Sequence, residues 1–124
     1  MGKQVWKAGN MVYPLPAVMV STADKSGKSN ILTIAWTGTI CTNPAMVYIS
    51  VRPERYSYHM LKESGEFVIN LTTEQLAKAT DYCGVRSGKD VDTFIKEIRR
   101  YSAIEELAEA MLNQLISRIL IRCV

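Results

Sequence analysis

The strongest constraint on how this chain folds lies in residues 30–58, where two strand-like runs are joined by the turn Thr42-Asn43-Pro44 and halted at Pro53. From Ile31 to Cys41 the residues alternate. Leu32, Ile34, Trp36 and Ile40 fall on one side, and Thr33, Ala35, Thr37, Thr39 and Cys41 on the other. The first side is bulky and suits a core; the second is small and hydroxyl-bearing, so a flat ligand can lie close to the backbone. Gly38 interrupts the run, which predicts either a bulge or the close approach of another group to the main chain. Ala45 to Val51 repeats the strand signal, with Met46, Tyr48 and Ser50 opposite Val47, Ile49 and Val51.

The end of the second run carries the chemistry. Arg52 and Arg55 flank Pro53, and Tyr56-Ser57 open a short helix with Ser57 as N-cap and Gly65 as the residue that ends it. Two guanidiniums, a hydroxyl and the amides of a helix start suit a phosphate. The same residues also make an ordinary solvated turn whose arginines pair with Glu54 or Glu63. Residue chemistry alone leaves both readings open.

The runs AWTGTICTNPAMVYISVRPERYSYHMLKESGEFVINL and ATDYCGVRSGKD together narrow the choice. The stretch from Trp6 to Asp92 resembles the flavin reductase-like, or flavoredoxin, family of FMN-binding split barrels. The fold the resemblance implies is mainly β, a β-barrel with peripheral helices. It also implies FMN lying along Ala35, Trp36, Thr37, Gly38 and Thr39, with its phosphate near Ser50, Val51, Arg52, Tyr56 and Ser57. A later loop, Ser87, Gly88 and Lys89 beside Arg86, is expected to reach the flavin or its phosphate. No GxGxxG fingerprint is present, so NAD(P)H would stack transiently over the flavin. The expected activity is transfer of hydride or electrons from such a donor to a flavin, metal or protein acceptor, in a homodimer. A non-enzymatic electron carrier, a truncated product that binds nothing, and an interaction domain using a terminal helix are the alternatives.

Elsewhere the chain is unremarkable in chemistry. At 124 residues and 48% hydrophobic it fits one packed domain. Its net charge of +3 is scattered, with no basic stripe interleaved with aromatics, which argues against nucleic acid. No apolar run is long enough to span a membrane. Cys41, Cys83 and Cys123 are three widely spaced cysteines without a CxxC, which predicts reduced thiols in the cytoplasm and no metal site. Cys41 and Cys83 are expected to be small buried groups. His59, the single histidine, has no partner spacing for a nucleophilic triad, so no catalytic side chain is assigned.

Ala17 to Ala23 reads as the first buried strand, and residues 24–30 as a polar hairpin loop. Its Ser26-Gly27-Lys28-Ser29 piece lacks the first glycine of a nucleotide-binding loop. Glu66 to Leu71 reads as a further strand. Thr72 and Gln75 have capping-box spacing ahead of a helix that Gly84 stops. Beyond Lys96 the composition changes, with no further Lys, Gly, Pro, Asp or Thr. Ile104, Leu107, Met111, Leu115 and Ile119 keep a helical spacing. On the resemblance, residues 1–96 are expected to form the FMN-binding split-barrel core, incomplete at its C-terminal side. Residues 97–124 are expected to form a helical tail in place of the strands with which the family continues.

Overall fold

The structure, a computed structural model, describes residues 2–10 and 12–90. The predicted terminal helix lies outside the described residues. In chain order the elements are β1 (Val18–Ala23), β2 (Ser29–Ile34), β3 (Thr37–Thr42), β4 (Ala45–Ile49), α1 (Ser57–Ser64), β5 (Val68–Leu71) and α2 (Ala77–Val85). A single 3-10 turn at Glu74–Leu76 leads into α2. The architecture is mainly β. One antiparallel sheet has the order β2-β1-β5, and β3 and β4 form a separate two-stranded ribbon. The two do not close into a barrel among the described residues.

β1 is the centre of the domain. Its residues are apolar or small on both sides, and Val18 through Thr22 are all buried. Both faces of this strand are covered, which is why it reads as a continuous run without alternation. Met19 packs with Leu76, Ala79 and Cys83 on the α2 side. Val18 and Val20 pack with Ile34, Leu61 and Phe67 on the α1 side. The buried hydroxyls are satisfied: Thr22 donates to the Glu66 carbonyl at 3.0 Å, and Ser21 accepts from the Asn70 amide at 3.3 Å.

The turn from β1 to β2 is built around Asp24. Its carboxylate accepts from the Ser26 hydroxyl at 2.6 Å and from the Ser26 and Lys28 amides at 2.9 and 3.0 Å. The Ser26 hydroxyl foremost, with those amides, holds the Asp24 carboxyl below its ordinary value. Gly27 takes a positive φ of 85° at the tip. Ser26-Gly27-Lys28-Ser29 is thus a hairpin turn, as its missing glycine predicted.

Several local expectations need correction. The Ile31–Cys41 run is not one strand: it bends at Ala35-Trp36, where the chain leaves one sheet for the other. A register shift between Thr39 and Cys41 follows, whereas Gly38 stays paired with Tyr48. Bend and bulge together break the alternation, so Trp36 and Ile40 are 53% and 51% exposed instead of joining Leu32 and Ile34 in the core. Gly38 serves close approach, since a Cβ there would meet the Tyr48 ring at 3.0 Å.

The cap positions shift by one residue. Tyr56, not Ser57, occupies the N-cap of α1, because a turn from Arg52 to Arg55 already brings the chain in with helical geometry. Gly65 ends α1 as expected, with φ 68° and its amide bonded to the Leu61 carbonyl. Thr72 does not cap the second helical stretch; Thr73 holds that position, and the Thr72 hydroxyl donates to the Ala17 carbonyl at 2.8 Å. Gly84 does not stop the second helix but lies inside α2, facing Thr33 of β2, where an added Cβ would make an ordinary contact at 3.6 Å.

The core assignment has a direct test. Met19→Ala should destabilise the protein by about 2–5 kcal/mol, the cost of emptying a fully packed methionine site. Leu71→Ala, at a side chain 77% exposed on the neighbouring strand, should change stability by no more than about 0.5 kcal/mol. Denaturant midpoints of the two variants check the contrast, and equal losses would contradict the two-sided burial of β1.

Candidate functional site

β2 is an edge strand among the described residues: β1 pairs with one side of it, and no strand pairs with the other. Such an edge presents unpaired amides and carbonyls. Two adjoining clefts lie against β2. The larger, about 360 Å³, is lined by residues 32–36 together with Ser50, Val51, Arg52 and Arg55. The smaller, about 50 Å³, runs between residues 30–33, the start of α1 and the loop after α2. Leu32, Thr33 and Arg55 belong to both linings, so the two form one bent groove.

The walls are held by backbone and by short side-chain bonds. The Ser50 amide donates to the Trp36 carbonyl at 2.8 Å, tying the end of β4 to the bend after β2. The Thr33 hydroxyl donates to the Thr80 carbonyl, fixing α2 against β2. Asn30, buried at 4% exposure, donates from Nδ2 to the Ser57 hydroxyl at 2.6 Å, joining β2 to the first residue of α1. Ser57 is therefore a brace and not a cap.

The electrostatics of the groove have one sign. Among the described residues neither lining contains a carboxylate, while Arg52, Arg55 and Arg86 bring guanidiniums to it. The start of α1 carries no side-chain cap and no acidic residue in its first turn. The positive end of its dipole therefore adds to the same potential. Lys28 places its ammonium 5.6 Å from the centre of the Tyr56 ring, which lines the smaller cleft. An anion is favoured at the narrow end, and a flat apolar body fits the wide end beside Trp36 and Leu32.

The residues expected to bind are distributed unevenly. Ala35, Trp36, Ser50, Val51 and Arg52 line the wide cleft, and Tyr56, Ser57, Ser87 and Gly88 line the narrow one. Thr37 is buried, its hydroxyl donating to the Tyr48 carbonyl at 2.7 Å. Gly38 and Thr39 continue along the ribbon outside both linings, because the chain has turned at Ala35-Trp36. Lys89 is exposed and also outside them, its amide bonded to the Ser87 hydroxyl at 3.2 Å. Asn30 was missed; Arg55 and Thr33 were read from the residues, as one of the two guanidiniums at the strand end and as part of the small hydroxyl-bearing side, but were not among those the resemblance implied. The available signal for Asn30 was a carboxamide near the start of the β2 run.

The thiols separate as well. Cys83 is buried beneath the narrow cleft, and burial pushes its pKa up to about 12. Cys41 is exposed, against expectation, because it follows the bulge; its thiol donates to the Pro44 carbonyl at 2.9 Å. Both are free. No helix among the described residues is long and apolar enough to cross a membrane, and no metal-binding cluster is present among them.

A mainly-β domain with separate sheets and a cationic groove along a free strand edge is a small-molecule-binding fold of the split-barrel kind. The sequence pattern of the flavin reductase like domain matches residues 10–116. The chain belongs to that family. Its structure is similar to the flavoredoxin of Desulfovibrio vulgaris (Miyazaki F), with 31% identity and a TM-score of 0.68, covering 77% of this chain and 52% of that one. It is also similar to a flavoredoxin from Methanosarcina acetivorans, with 32% identity and a TM-score of 0.63, over 73% of this chain and 49% of that one. A third likeness is to an FMN-binding domain of a flavin reductases-like enzyme from Shewanella baltica, at 26% identity and a TM-score of 0.61. It covers 67% of this chain and 43% of that one. The chain also spans only part of the length of the curated relatives it matches, 28% and 42% of two of them.

Thiol chemistry tests the placement of Cys83. At neutral pH an alkylating reagent should modify Cys41 in the native protein and leave Cys83 unmodified until denaturant is added, as read by peptide mass mapping. The raised pKa means that the folded state holds its proton where the unfolded state has lost it. The thiol therefore costs nothing below pH 9.0 and removes stability as pH rises from there towards about 12. Replacing Cys83 with Ala should flatten that part of the stability curve; an unchanged slope would contradict the burial.

Proposed function

We propose that the chain binds FMN in the bent groove and uses it in flavin reductase-like oxidoreduction, passing hydride or electrons from a reduced donor such as NAD(P)H to a flavin, metal or protein acceptor. One observation carries the reading: a groove whose described lining has arginines and no carboxylate widens beside Leu32, Ile34 and Trp36 and narrows between the start of α1 and Arg86–Gly88. That shape and charge complement a flat ring joined to a phosphate. Membership of the flavin reductase like domain family supports the same reading. So do the flavin-related names of its structural relatives.

The donor set fits the cofactor. Arg55 and Arg86 would supply charge-assisted hydrogen bonds to a phosphate, the strong kind, and among the described lining residues no carboxylate opposes them. Ser57, Ser87 and the loop amides supply further polar contacts. The edge of β2 offers backbone donors and acceptors that would suit the rim of a ring, and Trp36, in the wide lining, would help hold it. Bound FMN supplies the redox chemistry itself, which is why no acid–base pair is needed from the chain. The protein's own work is to hold, orient and shield. Thr37, Gly38, Thr39 and Lys89 take part, on this reading, as support behind the ring and as a flexible charge outside the narrow end.

Trp36, Ile40 and Tyr48 are large apolar side chains left exposed at the bend and along the ribbon, and a second copy of the chain is expected to cover them. The free thiols support a reducing, cytoplasmic setting.

Titrating the purified protein with FMN, followed by flavin fluorescence, tests the central step. Arg55→Ala should weaken binding by about 1.5–3 kcal/mol, the scale of a charged hydrogen bond. Unchanged affinity would contradict the assignment. Anaerobic addition of NADH or NADPH to the holoprotein should bleach the flavin absorbance. A flavin that stays oxidised with both, yet is reduced by dithionite, would make the chain an electron carrier instead.

A further inference from the structure

The narrow cleft has two walls from distant parts of the chain, the start of α1 and the loop at Arg86–Gly88, and one side chain stands between them. Asn30 is anchored by its place in the β1–β2 ladder opposite Thr22. Its Nδ2 donates to Ser57 on one wall. Its carboxamide also abuts Gly88 on the other: a Cβ on Gly88 would come within 2.7 Å of Asn30 Cγ and 3.0 Å of Nδ2. Ordinary carbon contacts lie at about 3.5–4.0 Å, so any other residue at position 88 requires either the loop or the buried, Ser57-bonded Asn30 carboxamide to give way. The requirement is steric, since the positive φ angles belong to Gly27 and Gly65 and not to Gly88.

We propose that Asn30, seated against Gly88 and bonded to Ser57, is the positioning residue that sets the width of the narrow cleft and with it the preference for a ligand ending in a phosphate. This rests on the FMN reading above and adds a residue-level cause for its tail specificity. Charge-assisted hydrogen bonds need donors at about 2.7–2.9 Å from the anion. A loop displaced outward by an added methyl group carries Arg86 and Ser87 beyond that distance. The wide cleft shares neither Gly88 nor Ser57, so contacts to the ring are left as they were. A buried amide on a strand is a rigid spacer, with its geometry fixed by the ladder instead of by the loop it supports.

The test compares FMN with riboflavin, which lacks the phosphate, by fluorescence titration of the full chain and its variants. Wild type should bind FMN at least about tenfold more tightly than riboflavin, from charged hydrogen bonds to the phosphate. Gly88→Ala should reduce that preference to less than about threefold, with riboflavin affinity held within about twofold, because only the phosphate contacts lengthen. Adding Asn30→Ala to Gly88→Ala removes the obstruction, so the double variant should lose no more preference than Asn30→Ala alone, a non-additivity diagnostic of direct contact. Thermal melts establish that each variant is folded. Should Gly88→Ala not fold, Asn30→Ala carries the comparison, with the same expected loss of preference. An unaltered preference in these variants overturns the proposal, as does an equal loss for both flavins or strict additivity. Wild type that binds neither flavin overturns the FMN reading itself, and the proposal with it.

Discussion

The rest of the structure depends on β1 being buried on both faces. A strand of valine, methionine, serine and threonine with no exposed side cannot stand alone, so each face must receive a helix. α1 covers Val18 and Val20 through Leu61, and α2 covers Met19 through Ala79 and Cys83. With β5 taking one edge of β1 and β2 the other, both helices also come to pack against β2. The groove is the space left along that edge. Its position follows from the core, before any ligand is considered.

Its chemistry follows from what the chain must do at the corners. Bending at Ala35-Trp36 moves the chain from one sheet to the ribbon, which leaves Trp36 at the mouth of the wide cleft instead of in the core. The turn at Arg52–Arg55 brings the chain into α1, and in doing so sets two guanidiniums beside the helix start. The loop that leaves α2 returns towards Asn30 because Gly88 has no side chain to prevent it. Shape, charge and polarity at the groove thus come from three connections, each placed by a packed element. This is the usual division of labour between a rigid scaffold and functional loops.

Much of this was legible in the residues. The β1 and β4 runs, the Asn43-Pro44 turn, the hairpin loop at Asp24 and the glycine end of α1 are local signals, and local geometry decided them. The cationic turn at Arg52–Arg55 was visible too, although its choice between solvent and a binding wall was not. What escaped was set by distant contacts. The switch of sheets at Ala35-Trp36 leaves no mark in an alternating pattern. The bulge at Ile40 reverses the side on which the following residues fall. Asn30 was invisible as a spacer because its partners, Ser57 and Gly88, are 27 and 58 positions away, and only the folded chain brings them together.

The central claim is that one continuous groove takes the ring at its wide end and the phosphate at its narrow end. Backbone amide chemical shifts, measured with and without saturating FMN, test it most directly. The account predicts perturbations at Trp36, Val51 and Arg52 together with Tyr56, Ser57 and Gly88, and little change at the Asp24–Lys28 turn or the middle of α1. Perturbations confined to one end of the groove, or clustered on surfaces away from β2, would contradict it.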